Sequence, residues 1–191
     1  MSRKLMFVVN VDWFFISHRL PIALGALACG YEVHVVCGDT GRLGELEGYG
    51  IIVHPFCIVR GKASIASNLK TFLEILSLFR RVRPDVVHLV TIKPVLFGGL
   101  VARLVGIKSV VAAVSGLGFV FVDVGFKACL RRSIVGVLYR LALGKKNLKV
   151  IFQNPDDRES LCRLAGIDKS ETELIRGSGI DLVKCAATPL A

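Results

Sequence analysis

The chain has 191 residues, slightly more than half of them hydrophobic, with 25 Lys and Arg against 15 Asp and Glu and a net charge of +10. That length supports one sizeable core and leaves no room for a second full domain. The positive charge directs attention to an anionic partner, nucleic acid or membrane, and its placement along the chain decides between them.

Residues 4–11 read as a strand ending at Asn10-Val11-Asp12. Trp13, Phe14 and Phe15 fall in an expected loop, followed by a helix over 17–28 with Ser17 as a cap and Pro21 tolerated in the first turn. Residues 32–37 form a second strand, 43–48 a short helix and 51–55 a third strand. A long helix over 64–83 has Leu69, Phe72, Leu73, Leu76 and Phe79 at three- and four-residue spacing, and Arg83-Pro84-Asp85 stops it.

The stretch 85–122 organises the rest. Val86 to Val90 and Ser109 to Val114 are continuous apolar runs of the kind that helices cover on both faces. A helical segment, with Pro94 as its expected first residue, lies between them. Further helices are expected over 127–143 and 156–164, with strands over 149–152 and 172–175. Strands alternating with helices throughout imply an α/β fold, a doubly wound parallel sheet of Rossmann-like kind. In such sheets ligands sit beyond the carboxyl ends of the strands, which makes the loops at Thr91–Lys93 and Ser115–Gly118 the first candidates for a site.

Neither export nor a membrane span is expected. The apolar run after Arg3 and Lys4 breaks at Asn10 and Asp12, too early for a secretory segment. The best span candidate, 110–126, is interrupted by Ser115, Gly116, Gly118, Asp123 and Gly125 and falls short of the roughly 18 apolar residues required. Six cysteines at 29, 37, 57, 129, 162 and 185 show no metal-ligand or redox spacing, and read as reduced thiols in a cytoplasmic protein.

Several polar residues can carry binding. Ser17-His18-Arg19 at a helix start can contact a phosphate or serve as an ordinary cap. Lys93 at the mouth of the sheet can neutralise a pyrophosphate or lie solvated at the surface. Asn10 and Asp12 can hold sugar hydroxyls or form a turn. Ser115-Gly116-Leu117-Gly118 is too short for a dinucleotide fingerprint, since a third glycine would fall at Phe121, so no bound NAD or other cofactor is expected, and no metal-ligand set is apparent. His88, inside an apolar run, reads as a core histidine. Lys127, Arg131, Arg132, Arg140, Lys145, Lys146 and Lys149 come with no acid among them, on a helix with an apolar stripe. With a second cluster at Arg60, Lys62, Lys70, Arg80, Arg81 and Arg83, they favour an anionic membrane surface over nucleic acid.

The segments NVDWFFISHRLPIALGALACGYEVHVV (10–36), HLVTIKP (88–94), SGLGFVF (115–121) and GSGIDL (177–182) together resemble the N-terminal domain of family-four glycosyltransferases, in particular the subgroup that adds sugars to lipid-linked carriers of envelope polysaccharides. The resemblance implies one half of a GT-B architecture, with an acceptor-binding domain over 1–176 and the start of an interdomain linker at 177–191. The nucleotide-sugar site and a pair of glutamates would then belong to an absent C-terminal domain. It implies a retaining transferase, peripheral on the inner face of the cell membrane, inactive as this half alone. Asn10, Asp12, His18, Arg19, Thr91, Lys93, Ser115, Gly116 and Gly118 would line the cleft, with nucleotide sugar and lipid-linked acceptor as partners. Two departures stand out: Val90 occupies a position where many members have histidine, and the loop 115–118 lacks the histidine common there. The catalytic assignment stays open. A non-catalytic membrane-binding subunit that recruits a separate donor domain, and an ordinary nucleotide-binding Rossmann-like protein, are the alternatives.

Overall fold

A computed structural model describes residues 2–56, 64–116, 126–144 and 147–177, with side chains of 126–132 excepted. The sequence readings at Arg60 and Lys62, at Gly118, at Lys145 and Lys146, at the side chains of Lys127, Arg131 and Arg132, and across the linker after Gly177 lie outside the described residues.

Seven parallel strands form one sheet: β1 (Lys4–Val11), β2 (Glu32–Gly38), β3 (Ile52–Pro55), β4 (Val86–Val90), β5 (Ser109–Val114), β6 (Leu148–Phe152) and β7 (Thr172–Leu174). Their order is β3-β2-β1-β4-β5-β6-β7. The chain runs outward from β1 in one direction, returns, and runs outward from β4 in the other, so the reversal falls between β1 and β4. A crevice opens there beyond the carboxyl ends of the strands.

Alternate residues of each strand feed two cores, as the period of two requires. On one face Phe7, Val9, Val33 and Val35 pack with Phe15 of α1 (Asp12–His18), Leu20 and Ala23 of α2 (Leu20–Ala28) and Leu46 of α3 (Leu43–Gly48). On the other, Met6, Val8, Val87 and Leu89 meet α4 (Ile65–Val82), α5 (Ile92–Val105), α6 (Phe126–Leu143) and α7 (Pro155–Ala165) through residues such as Phe79, Val101, Tyr139 and Leu161. The helix ends follow local chemistry. Ser64 caps α4 by accepting from the Ser67 N–H at 3.1 Å, Asn154 caps α7 by accepting from Asp157, and Gly106 and Gly166 close α5 and α7 in the left-handed region.

Two expectations near the site need correction. The aromatic run at 13–15 is not a loop: it forms α1, and Ser17 lies in its last turn rather than capping the next helix. The Ser17 hydroxyl reaches back to the carbonyl oxygens of Trp13 (2.9 Å) and Phe14 (3.2 Å), a local bond that short polar side chains make inside helices. His18 therefore ends α1, and Arg19 is the residue before α2. Likewise α5 begins at Ile92, two residues ahead of Pro94, so Lys93 is helical and the proline sits within the first turn, where no backbone bond is lost.

Candidate functional site

The carboxyl end of β1 is irregular. Its pairing with β2 slips between Val8 and Val11, a bulge that places Asn10 outside the regular ladder. Gly38 faces it closely: a Cβ there would stand 2.9 Å from the Asn10 carbonyl oxygen. Asn10 is half-buried, and its Oδ1 has no hydrogen-bond partner among the described residues.

Asp12 turns inward. It is fully buried, and its carboxylate accepts from the N–H groups of Trp13 (2.6 Å), Thr40 (2.7 Å) and Arg42 (3.1 Å) and from the Thr40 hydroxyl. Burial pushes its pKa up, but these bonds together outweigh burial and hold it below the usual carboxylate value. Asp12 thus pins the loop after β2 and presents no open oxygen to the cleft.

Across the reversal, Thr91 leaves β4 with φ 75° and ψ 166°, a region that residues other than glycine rarely occupy. Its N–H donates to the Ala113 carbonyl at 3.3 Å and its carbonyl accepts from Val95 at 3.0 Å, but its buried hydroxyl caps nothing and finds no partner among the described residues. Strain of this kind persists where the surroundings impose it, and such positions cluster at functional sites. The turn it makes aims the N-terminus of α5, with Lys93 in its first turn, at the cleft.

Beside this junction lies a cavity of about 170 Å³ lined by residues that include His18, Arg19, His88, Ser115, Gln153 and Ile175. Arg19 is only 7% exposed, and its Nη1 donates to the His18 carbonyl at 2.9 Å. Burial draws its pKa below the usual value. His18 stacks on Phe14 with ring centroids 4.3 Å apart, and its Nδ1 lies 2.6 Å from the Ser17 hydroxyl. His88 is 7% exposed, and its Nε2 has no partner among the described residues. Burial, then the charge of Arg19, lowers its pKa to about 4, so the imidazole is neutral near pH 7. Gly116, at φ 148°, continues from Ser115 with a backbone that favours glycine.

The structure therefore brings His18, Arg19 and Ser115 into one cavity, places Asn10, Thr91 and Lys93 at the neighbouring strand ends, and turns Asp12 away. Sequence reasoning read His88 as core. It is buried as expected, yet it forms part of the cavity wall. Gln153 and Ile175 were missed, although each follows the last residue of a strand at the carboxyl edge, the rule that singled out Thr91 and Ser115. Among the described residues no Asp or Glu lines the cavity, and a neutral imidazole, a buried guanidinium and the Ser115 hydroxyl face a space suited to an anionic group. Among the described residues no group of three or more His, Cys, Asp or Glu side chains is placed to hold a metal ion.

Comparison with known proteins places this geometry in context. Residues 4–154 match the family model described as glycosyl transferase 4-like. The N,N'-diacetylbacillosaminyl-diphospho-undecaprenol alpha-1,3-N-acetylgalactosaminyltransferase of Campylobacter jejuni is 28% identical over 178 residues, covering 89% of this chain and 47% of its own. The UDP-Gal:alpha-D-GlcNAc-diphosphoundecaprenol alpha-1,3-galactosyltransferase of Escherichia coli is 21% identical over 159 residues, covering 82% and 39%. A glycosyltransferase structure from Rickettsia africae superposes with a TM-score of 0.64 at 14% identity, over 98% of this chain and 47% of that one, a likeness of fold. The chain spans about half the length of the curated relatives it matches, or less.

Proposed function

The chain belongs to the glycosyl transferase 4-like family, and from that premise we propose that its 191 residues form the acceptor-binding lobe of a retaining glycosyltransferase. The complete enzyme moves a sugar from a nucleotide donor to a lipid-linked diphosphate acceptor. The observation that carries this reading is the cavity in which Arg19, 7% exposed, shares walls with His18, His88 and Ser115. A buried guanidinium makes strong charge-assisted hydrogen bonds to phosphate oxygens, and a diphosphate at the carboxyl edge of the sheet supplies them. Asn10, Thr91, Lys93 and Gly116 extend the same rim towards the sugar, with the N-terminus of α5 favouring negative charge.

The names of both relatives specify a diphospho-undecaprenol acceptor and an α-1,3 linkage. UDP-galactose holds its sugar in α linkage, so an α product means retention. Departure of the nucleotide diphosphate requires stabilisation of developing charge, and we assign most of those contacts to a donor lobe facing this one. Without that lobe the chain does not turn over.

A membrane-bound acceptor also supports peripheral attachment. Among the described residues no helix is long and apolar enough to cross a membrane. However, α4 exposes Ile65 (88%), Leu69 and Leu73 on one stripe, and α6 exposes Ile134, Val137 and Leu141 beside Arg140. Apolar side chains flanked by cations suit an anionic bilayer surface.

The test is transfer of radiolabelled sugar from UDP-galactose or UDP-N-acetylgalactosamine to a prenyl-diphosphate-linked sugar. We expect no product from the chain alone and product when a relative's donor lobe is fused after it. Robust transfer by the unfused chain contradicts the reading.

A further inference from the structure

A second groove, of about 420 Å³, lies between the edge strand β3 and helix α4, and none of its lining residues belongs to the cleft cavity. His54 of β3 faces Ser67, Lys70, Thr71, Ser77 and Arg81 of α4 across it. The helix thus turns a polar strip towards this part of the sheet, where an apolar one would be ordinary.

His54 is the end of a hydrogen-bonded chain. His34, 4% exposed, places Nε2 2.8 Å from the Glu32 carboxylate, and its Nδ1 lies 3.0 Å from Nε2 of His54. The two imidazoles stack with centroids 5.3 Å apart. The hydrogen bond from His34 holds Glu32 below the usual carboxylate range, and Lys4 stands 3.3 Å from the same oxygen. An ionised carboxylate only accepts, so His34 donates from Nε2, and in the neutral imidazole its Nδ1 accepts. His54 then donates from Nε2, which leaves the lone pair of its Nδ1 unused. Burial first, then His34 and Arg81, hold the His54 pKa below its ordinary value, so this nitrogen remains an acceptor at neutral pH.

Two cations and an acceptor therefore share one groove. Its one acid among the described residues, Glu74, lies 3.8 Å from Lys70. Thr71 is 5% exposed, and no hydrogen bond reaches its hydroxyl among the described residues. We infer that this groove is a second ligand site, one that binds a phosphate monoester as its monoanion: the P–OH donates to His54 Nδ1, while Arg81, Lys70 and the Thr71 hydroxyl contact the remaining oxygens. The acceptor nitrogen is what sets the specificity. With a second pKa of about 6, a phosphate monoester keeps a donating proton on roughly a quarter of its molecules at pH 6.5 and on more once a site favours the monoanion, whereas sulfate and phosphodiesters carry none.

The test follows the ring signals of ¹⁵N-histidine-labelled protein by NMR near pH 6.5 and constant ionic strength, during titration with inorganic phosphate, glycerol 3-phosphate or sulfate. A parallel arm uses vesicles of phosphatidylcholine with phosphatidate or with phosphatidylglycerol, to distinguish a soluble monoester from a lipid headgroup. The expected result is a saturable shift of His54 and His34, at least about fivefold weaker with sulfate, as loss of one hydrogen bond implies. The exposed substitutions Arg81→Gln and Lys70→Gln weaken phosphate binding without moving the thermal midpoint, and His54→Gln abolishes the preference for phosphate over sulfate. An equal response to phosphate and sulfate, no saturation, or unchanged binding in Arg81→Gln overturns the assignment. None of these outcomes bears on sugar transfer, so the site stands or falls apart from the proposed function.

Discussion

The rings of Phe7 and His88 stack with centroids 5.2 Å apart and planes inclined by 26°, across the β1–β4 junction where the strand order reverses. This contact helps bury a histidine whose pKa in the fold is about 4 against an ordinary 6.5. Because the folded state disfavours the proton, its contribution to stability is full above pH 6.5 and is lost as pH falls through 6.5 towards 4. The loss amounts to roughly 3 kcal/mol. His54 shifts in the same direction, so the comparison must isolate His88. Urea unfolding of the parent and of His88→Gln between pH 7 and 4 should show the variant losing markedly less stability on acidification; parallel pH profiles would refute the burial argument.

Thr91 is held at φ 75° with its hydroxyl unpaired among the described residues. Replacing it with alanine or glycine removes the same hydroxyl, but only glycine relieves the backbone. Thr91→Gly should therefore be more stable than Thr91→Ala by about 1 kcal/mol, the strain less the entropy cost of glycine. Both should weaken acceptor binding alike. Equal stability of the two variants in chemical denaturation would show that the site stores no strain.

Asp12 anchors the loop at 40–42, and Gly38 just before it packs against the Asn10 carbonyl. Asp12→Ala strips the loop at 40–42 of its acceptor and should cost roughly 3 kcal/mol, as expected for several bonds to one buried charge. Gly38→Ala drives a methyl against the Asn10 carbonyl, and overpacking of this kind costs about 1–3 kcal/mol. Calorimetric midpoints measure both, and a neutral Asp12→Ala would mean that the carboxylate serves the cleft instead.

The apolar stripe of α4 makes a separate prediction. Leu69→Glu and Leu73→Glu alter side chains that are 56% and 52% exposed, so folding should be nearly unaffected. Sedimentation with vesicles rich in phosphatidylglycerol should fall severalfold, each charge costing about 1 kcal/mol or more at the interface. Undiminished sedimentation would remove α4 from the membrane-facing surface.

Much of this was legible in the sequence, for identifiable reasons. Strands such as 86–90 and 109–114 are apolar runs bounded by polar turns, and their limits coincide with β4 and β5. The first helix escaped because seven residues are too few to display a period, and its three aromatic residues imitate a buried loop. Asp12 could not be oriented from local sequence, since its partners Thr40 and Arg42 lie 28 and 30 residues away. The role of His88 was hidden for a related reason: its place in the cavity depends on Arg19, at the junction of α1 and α2. The Glu32–His34–His54 chain left one trace, the same-face spacing of Glu32 and His34 on β2, but its third member comes from another strand.

The central claim is that the cavity around Arg19 holds the acceptor's diphosphate. Isothermal titration of the chain with farnesyl-diphospho-N-acetylglucosamine, repeated with Arg19→Gln, tests it most directly. Saturable binding to the parent and at least a tenfold loss in the variant, about 1.4 kcal/mol, are expected, with circular dichroism confirming that the variant is folded. A folded Arg19→Gln protein that binds the diphosphate as tightly as the parent would contradict it.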